Sequence, residues 1–157
     1  MIEKIVSGGQ TGADRAGLDV ALELGLAIGG WIPRGRRAEA GEVPRRYAGL
    51  REAESNSYAE RTELNVRDSD ATLVLAFGAP TGGSAITVQA AGAQGRPCLV
   101  VDLERDSVEE AIARVRHWLA ETRPRVLNVA GPRASQQPEI LQAAREILLG
   151  ALRPGGD

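Results

Sequence analysis

The sequence predicts an α/β domain, a mainly parallel sheet of about five strands with helices on both faces, and three observations carry that prediction. Short, almost wholly apolar runs alternate with segments of helical periodicity, the pattern of strands buried on both faces by crossover helices. Two of those runs end in glycine-rich loops that lead straight into helical patterns. The chain has 157 residues, 43% of them hydrophobic, a size at which one compact domain buries roughly 70% of its unfolded surface. One domain over 1–152 is therefore expected, with "RPGGD" (153–157) as a frayed tail.

The strands are expected at "KIVSG" (4–8), "AIGGWI" (27–32), "ATLVLAF" (71–77), "PCLVVDL" (97–103) and "RVLNVAG" (125–131). Between the first two, "TGADRAGLDVALELG" repeats Ala13, Leu18, Ala21 and Leu22 at helical spacing, and "SVEEAIARVRHWLAET" does the same with Val108, Ile112, Val115 and Leu119. Two more helical segments fall at 84–94 and 136–152. The connection 33–57 is too long for an ordinary loop, so it is expected to hold function or an extra short strand. A strand order of 2-1-3-4-5 would set the carboxyl ends of the first and third strands side by side at the switch point, where open α/β sheets bind ligands. An extra strand inside 33–57 would give 3-2-1-4-5 and the same juxtaposition.

Composition narrows the function. The chain carries 19 basic and 21 acidic side chains, a net charge of −2, which does not suggest a nucleic-acid binder. It shows no leader peptide, no lipidation signal and no apolar run near the ~20 residues that span a bilayer, so a cytoplasmic protein away from membranes is expected. Cys98 and His117 are the one cysteine and the one histidine. They exclude an internal disulfide and are too few for a structural zinc site. Cys98 reads as a small buried hydrophobe and His117 as a helix-surface residue.

The first loop, "SGGQTGAD", admits three readings: a dinucleotide fingerprint, a nucleoside-triphosphate P-loop, or a general anion cradle at a helix N-terminus. The fingerprint would need Gly at Ser7 and an acidic residue at the end of the second strand, which instead reads Trp31, Ile32, Pro33, Arg34. The P-loop would need a Lys-Ser/Thr pair, which does not follow. An anion cradle remains, with Ser7, Gly8, Gly9, Gln10, Thr11 and Gly12 offering backbone N–H groups at the positive end of a helix. "TGAD" reads equally as a capping box, so Asp14 is either a cap or a ligand contact. The third strand ends in a second loop of this kind, "FGAPTGGSAIT", with Gly78, Thr81, Gly82, Gly83, Ser84 and Thr87.

Polar side chains surround the expected crevice. "PRGRRAEAG" supplies Arg34, Gly35, Arg36 and Arg37, suited to forked contacts with phosphate or carboxylate. In "YAERTELNVRDSD", Tyr58, Arg61, Thr62 and Asn65 share one helix face, polar but mostly uncharged. After the last strand, "AGPRAS" offers Arg133 as a ligand and Ser135 as a helix N-cap.

"SGGQTGADRAGLD", "GWIPRGRRAEAGEVP", "YAERTELNVRDSDATLV", "PTGGSAIT" and "LNVAGPRAS", in this order across nearly the whole chain, resemble the molybdenum carrier family, the molybdenum cofactor carrier proteins. That family is similar to the Rossmann-like lysine-decarboxylase-like phosphoribohydrolases. The resemblance implies a Rossmann-like three-layer domain in a cytosolic homodimer or homotetramer. It implies that the chain binds molybdenum cofactor, a pterin bearing a phosphate and a dithiolene, and protects or delivers it, with molybdoenzymes or cofactor-biosynthesis enzymes as partners. The phosphoribohydrolase signature Pro-Gly-Gly-x-Gly-Thr-x-x-Glu is broken here, because Ala85 and Ile86 replace Gly-Thr and Gln89 stands where the Glu would be. Gln89 cannot exchange a proton as a carboxylate does. A binding protein with no catalytic residue and no protein-ligated metal is therefore expected, with a nucleotide-derivative sensor or hydrolase as the alternative.

Overall fold

A computed structural model of the chain describes residues 1–153. The elements are β1 (Lys4–Val6), α1 (Ala13–Glu23), β2 (Ala27–Gly29), β3 (Trp31–Ile32), β4 (Arg37–Ala38), β5 (Gly41–Glu42), β6 (Arg51–Glu52), α2 (Tyr58–Arg67), β7 (Ala71–Ala76), α3 (Gly82–Gln94), β8 (Cys98–Asp102), α4 (Val108–Thr122), β9 (Val126–Ala130) and α5 (Ile140–Leu152). β1, β2, β7, β8 and β9 form one parallel sheet, as the apolar runs predict. The fold is Rossmann-like α/β.

The strand order is β2-β1-β9-β7-β8, which corrects both expected orders. β9 lies between β1 and β7, with Leu127 opposite both Ile5 and Ala71. The physical reason is burial. All six residues of β7 and four of the five in β9 are buried, whereas β2 and β8 are partly exposed and take the edges. Polar ties also hold β9 beside β7. The Asp70 carboxylate accepts the N–H groups of Arg125 and Val126 at 3.0 and 2.9 Å, and Asn128 Nδ2 donates to Thr72 Oγ1 at 3.3 Å. Counted from β9 as strand one, the sheet reads 3-2-1-4-5, and its switch point falls between β9 and β7.

The core fills one face of the sheet, where Ile5, Leu73, Leu75, Leu127 and Val129 pack against α1, α4 and α5. On the other face α2 and α3 pack together, with Val66, Ala90 and Ala91 in a smaller cluster beside Cys98. Cys98 is half-buried at the amino end of β8, and burial pushes its thiol pKa up. His117 is exposed on α4, its Nε2 3.5 Å from Glu121.

The second expected strand breaks at Gly30, where φ is 125° and a Cβ would stand 2.3 Å from the Ser7 carbonyl oxygen. β3 consequently leaves the main sheet and pairs in parallel with β6. The long connection thus contains extra strands, β6 and the antiparallel β4–β5 pair, and none of them joins the main sheet. Leu18, Ile32, Ala38, Val43 and Tyr47 form its own cluster. Tyr47 donates its hydroxyl to Asp19 at 2.7 Å, and burial with that carboxylate raises its pKa to about 12.

Two helix starts also differ from expectation. α3 begins at Gly82, and α5 begins at Ile140 with Glu139 as N-cap, so Ser135 does not cap it. Arg153 caps the end of α5 and reaches Glu23 at 3.4 Å, so this first residue of the expected tail is anchored, and 154–157 lie outside the described residues.

Candidate functional site

A cleft of about 330 Å³ opens at the carboxyl ends of β7 and β9, the switch point of the sheet. Its walls come from four places: Gln10 and Asp14 after β1, Tyr58 and Arg61 on α2, Thr81–Ser84 with Ile86 and Thr87 at the start of α3, and Ala130–Gly131, Arg133 and Gln136 after β9. A recess of about 140 Å³ adjoins it, sharing Thr81, Ser84 and Gln136 and reaching down to Ala76 and Phe77. The inserted β9 makes Gly131 the hinge of this arrangement. A Cβ on Gly131 would lie 2.6 Å from the Ala13 Cβ and 3.0 Å from the Leu75 carbonyl oxygen, so the three chain segments meet there only without a side chain.

The start of α3 is open. Thr81 is the N-cap in an extended conformation, and its side chain makes no cap hydrogen bond. The Ser84 N–H donates to the Thr81 carbonyl at 3.1 Å. Gly82 and Gly83, the first residues of the helix, have no acceptor within it for their N–H groups. Their Cα positions have nothing within 4 Å of where a Cβ would stand. An anion seated there meets two N–H groups and the positive end of a thirteen-residue helix. The Thr87 hydroxyl faces back into the helix and donates to the Gly83 carbonyl at 2.9 Å.

The loop after β1 is closed on itself. The Ser7 hydroxyl donates to the Asp14 carbonyl at 3.0 Å and accepts the Gly9 N–H at 3.3 Å. The Gln10 N–H donates to the Asp14 carboxylate at 3.2 Å. Gln10 Oε1 accepts the N–H groups of Thr11 and Glu39 at 3.1 and 2.9 Å. The Thr11 hydroxyl donates to the Glu39 carboxylate and accepts the Ala134 N–H at 3.2 Å. Gly12, at φ 83°, is the N-cap of α1 and no side chain caps that helix, so Thr11 and Asp14 do not form a capping box. This loop presents Gln10 and Asp14 to the cleft, while Ser7, Gly8, Gly9, Thr11 and Gly12 lie outside its lining.

Asp14 is buried, with the Arg61 guanidinium 3.7 Å away. Desolvation raises its carboxyl pKa against the opposing pull of Arg61 and the Gln10 N–H. Arg61 lies against Gly8, where a Cβ would come within 2.0 Å of Nη1. The Tyr58 ring collects three guanidiniums: Arg37 at 4.5 Å, Arg133 at 4.9 Å and Arg61 at 5.8 Å from its centroid.

The remaining sequence-predicted residues have other partners. Asn65 clamps β3, accepting the Trp31 N–H at 2.7 Å and donating to the Trp31 carbonyl at 2.9 Å. The Thr62 hydroxyl donates to the Tyr58 carbonyl at 2.8 Å. The Gly78 N–H is held by the Asp102 carboxylate at 2.7 Å, which lowers the pKa of Asp102. Arg34 and Gly35 sit in an exposed turn, their N–H groups donating to the Ser55 carbonyl and to Glu52. Arg36 is buried and ties its own loop by donating to the Val43 and Pro44 carbonyls. Ser135 donates its hydroxyl and N–H to Glu39. Hydrogen bonds from Ser135 and Thr11 hold the Glu39 carboxyl below its ordinary pKa. Glu39 thereby joins the long connection to the loops after β1 and β9, a role its surroundings "AEAGE" do not signal.

A model of the circularly permutated YpsA SLOG family matches residues 5–152. The chain belongs to this family. The crystal structure of the "Putative molybdenum carrier protein" from Syntrophus aciditrophicus SB is similar to it at 48% identity and a TM-score of 0.94, covering 97% of this chain and 96% of that one. Among curated proteins none matches. Membership of a permutated SLOG family accounts for the strand order: moving a first strand to the end of the chain leaves it central in space, as β9 is. What sequence reasoning missed in this SLOG cleft is what β9 brings, Gly131 and Gln136, together with Arg37 beside Tyr58. The glycine before Pro132 and Arg133 was the available signal, since it repeats the strand–glycine–loop pattern of the two recognised loops.

Proposed function

We propose that the chain carries molybdenum cofactor, holding the phosphate on the N–H groups of Gly82 and Gly83 with Arg61 and Arg133 nearby. The observation that supports this best is the open start of α3, facing a cleft rich in hydrogen-bond donors. The fit to the cargo is chemical. The cleft lining contains guanidinium, hydroxyl, amide and one carboxylate, and neither thiol nor imidazole. A soft metal wants the latter two, so the cofactor's own dithiolene holds the molybdenum while the protein grips phosphate and pterin. A volume of about 330 Å³ is in the range of small-molecule sites.

Binding, rather than turnover, is the role that follows. Gln89 lies outside the cleft, on the outer side of α3 with Glu63 and Gln94, so the acid of the phosphoribohydrolase signature has no counterpart there. Among the described residues no helix is long and apolar enough to cross a membrane, in keeping with a cytoplasmic homo-oligomer that delivers its cargo to molybdoenzymes. Metal analysis and mass spectrometry of ligand released from the purified chain test the reading. A phosphorylated pterin with molybdenum is expected. A nucleotide with no metal would overturn it in favour of nucleotide-derivative sensing.

A further inference from the structure

Among the described residues, three buried side-chain polar atoms lack a partner: Gln10 Nε2, Arg15 Nη2 and Arg61 Nε. All three are donors, and all three belong to the group around Asp14. Buried donors are nearly always satisfied, so three together are donors waiting for acceptors. Gln10 is 5% exposed and lines the cleft, and its Oε1 is already used by Thr11 and Glu39. Its orientation is thereby fixed with Nε2 unspent. Arg61, its side chain 11% exposed, has its charge shared with Asp14 but not its Nε hydrogen.

The charges point the same way. Asp14 feels Arg61, Arg15 and Arg133, Glu39 feels Arg133, and Arg37 joins Arg61 and Arg133 around Tyr58. Four guanidiniums against two carboxylates leave two positive charges. The Tyr58 ring face attracts cations but does not cancel the repulsion among three of them. An oxyanion does, and guanidinium forks match its geometry.

We infer that Arg37, Arg61 and Arg133, gathered on Tyr58 with Gln10 Nε2 beside them, form a second oxyanion subsite separate from the start of α3. The inference rests on the proposed phosphate site and deepens it: the ligand carries two separated anionic groups. A phosphate and an oxo-metal centre meet that description, as do the two phosphates of a diphosphate ester.

Calorimetric titration of the full chain with orthophosphate, and separately with molybdate, tests this. Two ions per chain are expected. Arg37→Gln combined with Arg133→Gln should weaken one of them at least tenfold and leave the other unchanged. Gly82→Asp should do the converse. A second site that prefers molybdate identifies the oxo-metal end, and one that prefers phosphate identifies a diphosphate. One ion per chain, lost in Gly82→Asp and indifferent to the arginine changes, overturns the second subsite and leaves the phosphate site standing. Two ions that both survive Gly82→Asp overturn the phosphate site. No ion bound overturns both.

Discussion

In the loop after β1 every glycine is hemmed in, whereas Gly82 and Gly83 after β7 have open space where a side chain would begin. Both loops read alike as sequence, glycines leading into a helix. The difference is what takes the place of the missing Cβ. At Gly8 it is the Arg61 guanidinium, at Gly9 the side chains of Ile32 and Val43, and at Gly12 the Pro132 carbonyl. The first loop spends its glycines on bringing protein close to protein. The second leaves its N–H groups for something from outside. A glycine-rich loop at a helix N-terminus is therefore a ligand cradle only where nothing of the protein fills the space it leaves.

The sharpest way to break this contrast is Gly12→Ala. The residue sits at φ 83°, and the added Cβ would lie 2.5 Å from the Pro132 carbonyl oxygen and 2.9 Å from the Ala134 nitrogen. Left-handed strain and overpacking together should cost about 2–5 kcal/mol, seen as a lowered denaturant midpoint. An unchanged midpoint would show that the first loop is not packed as described.

Gly82→Asp probes the other side. With open space at its Cβ and φ 53°, a region aspartate tolerates, it should cost under about 1 kcal/mol of stability. A carboxylate over the helix start should still weaken phosphate binding about a hundredfold. Undiminished affinity by calorimetry would sink the cradle.

A smaller effect separates Asp14 from a mere cap. Its folded pKa is raised above the ordinary 3.8, so between those two values the folded state binds more protons than the unfolded. Its contribution is then fully present below about pH 4 and declines as pH rises toward the folded value. Asp14→Asn should remove that decline from a series of urea midpoints taken between pH 4 and 8. A wild-type and variant difference that is flat with pH would contradict the burial of this charge.

Cys98→Ser should do least, changing cofactor affinity within about threefold, or ~0.6 kcal/mol, because Cys98 starts β8 at the end away from the cleft. A hundredfold loss would mean that a protein sulfur reaches the metal.

The sheet strands were legible because buried parallel strands must be apolar on both faces, and the second loop because an open helix start needs only local sequence. The strand order was not. Nothing within "RVLNVAG" says that it will sit between β1 and β7, since that depends on burial competition among all five strands and on Asp70, which is 55 and 56 residues away from the N–H groups it holds. Asn65 and Gly78 look like ligands in sequence because a polar side chain or a glycine does not reveal whether its partner is Trp31, Asp102 or a small molecule. Glu39 failed in the opposite direction. Its partners Thr11 and Ser135 are 28 and 96 residues distant, so a residue that ties three loops reads as part of a solvated stretch.

The central place of β9 also sets an order of assembly. β1 with β2, and β7 with β8, are made before the strand that separates them, so during synthesis two narrow half-sheets present long, apolar, unpaired edges to each other. Pairing them directly would give a misassembled sheet with the wrong neighbours and no cleft, because Gly131 and Arg133 arrive only with β9. The polar ties from Asp70 and Thr72 then have a second purpose. They make β7 the partner that recognises the late strand, so that completion of the barrierless-looking sheet and creation of the ligand site are one and the same folding event.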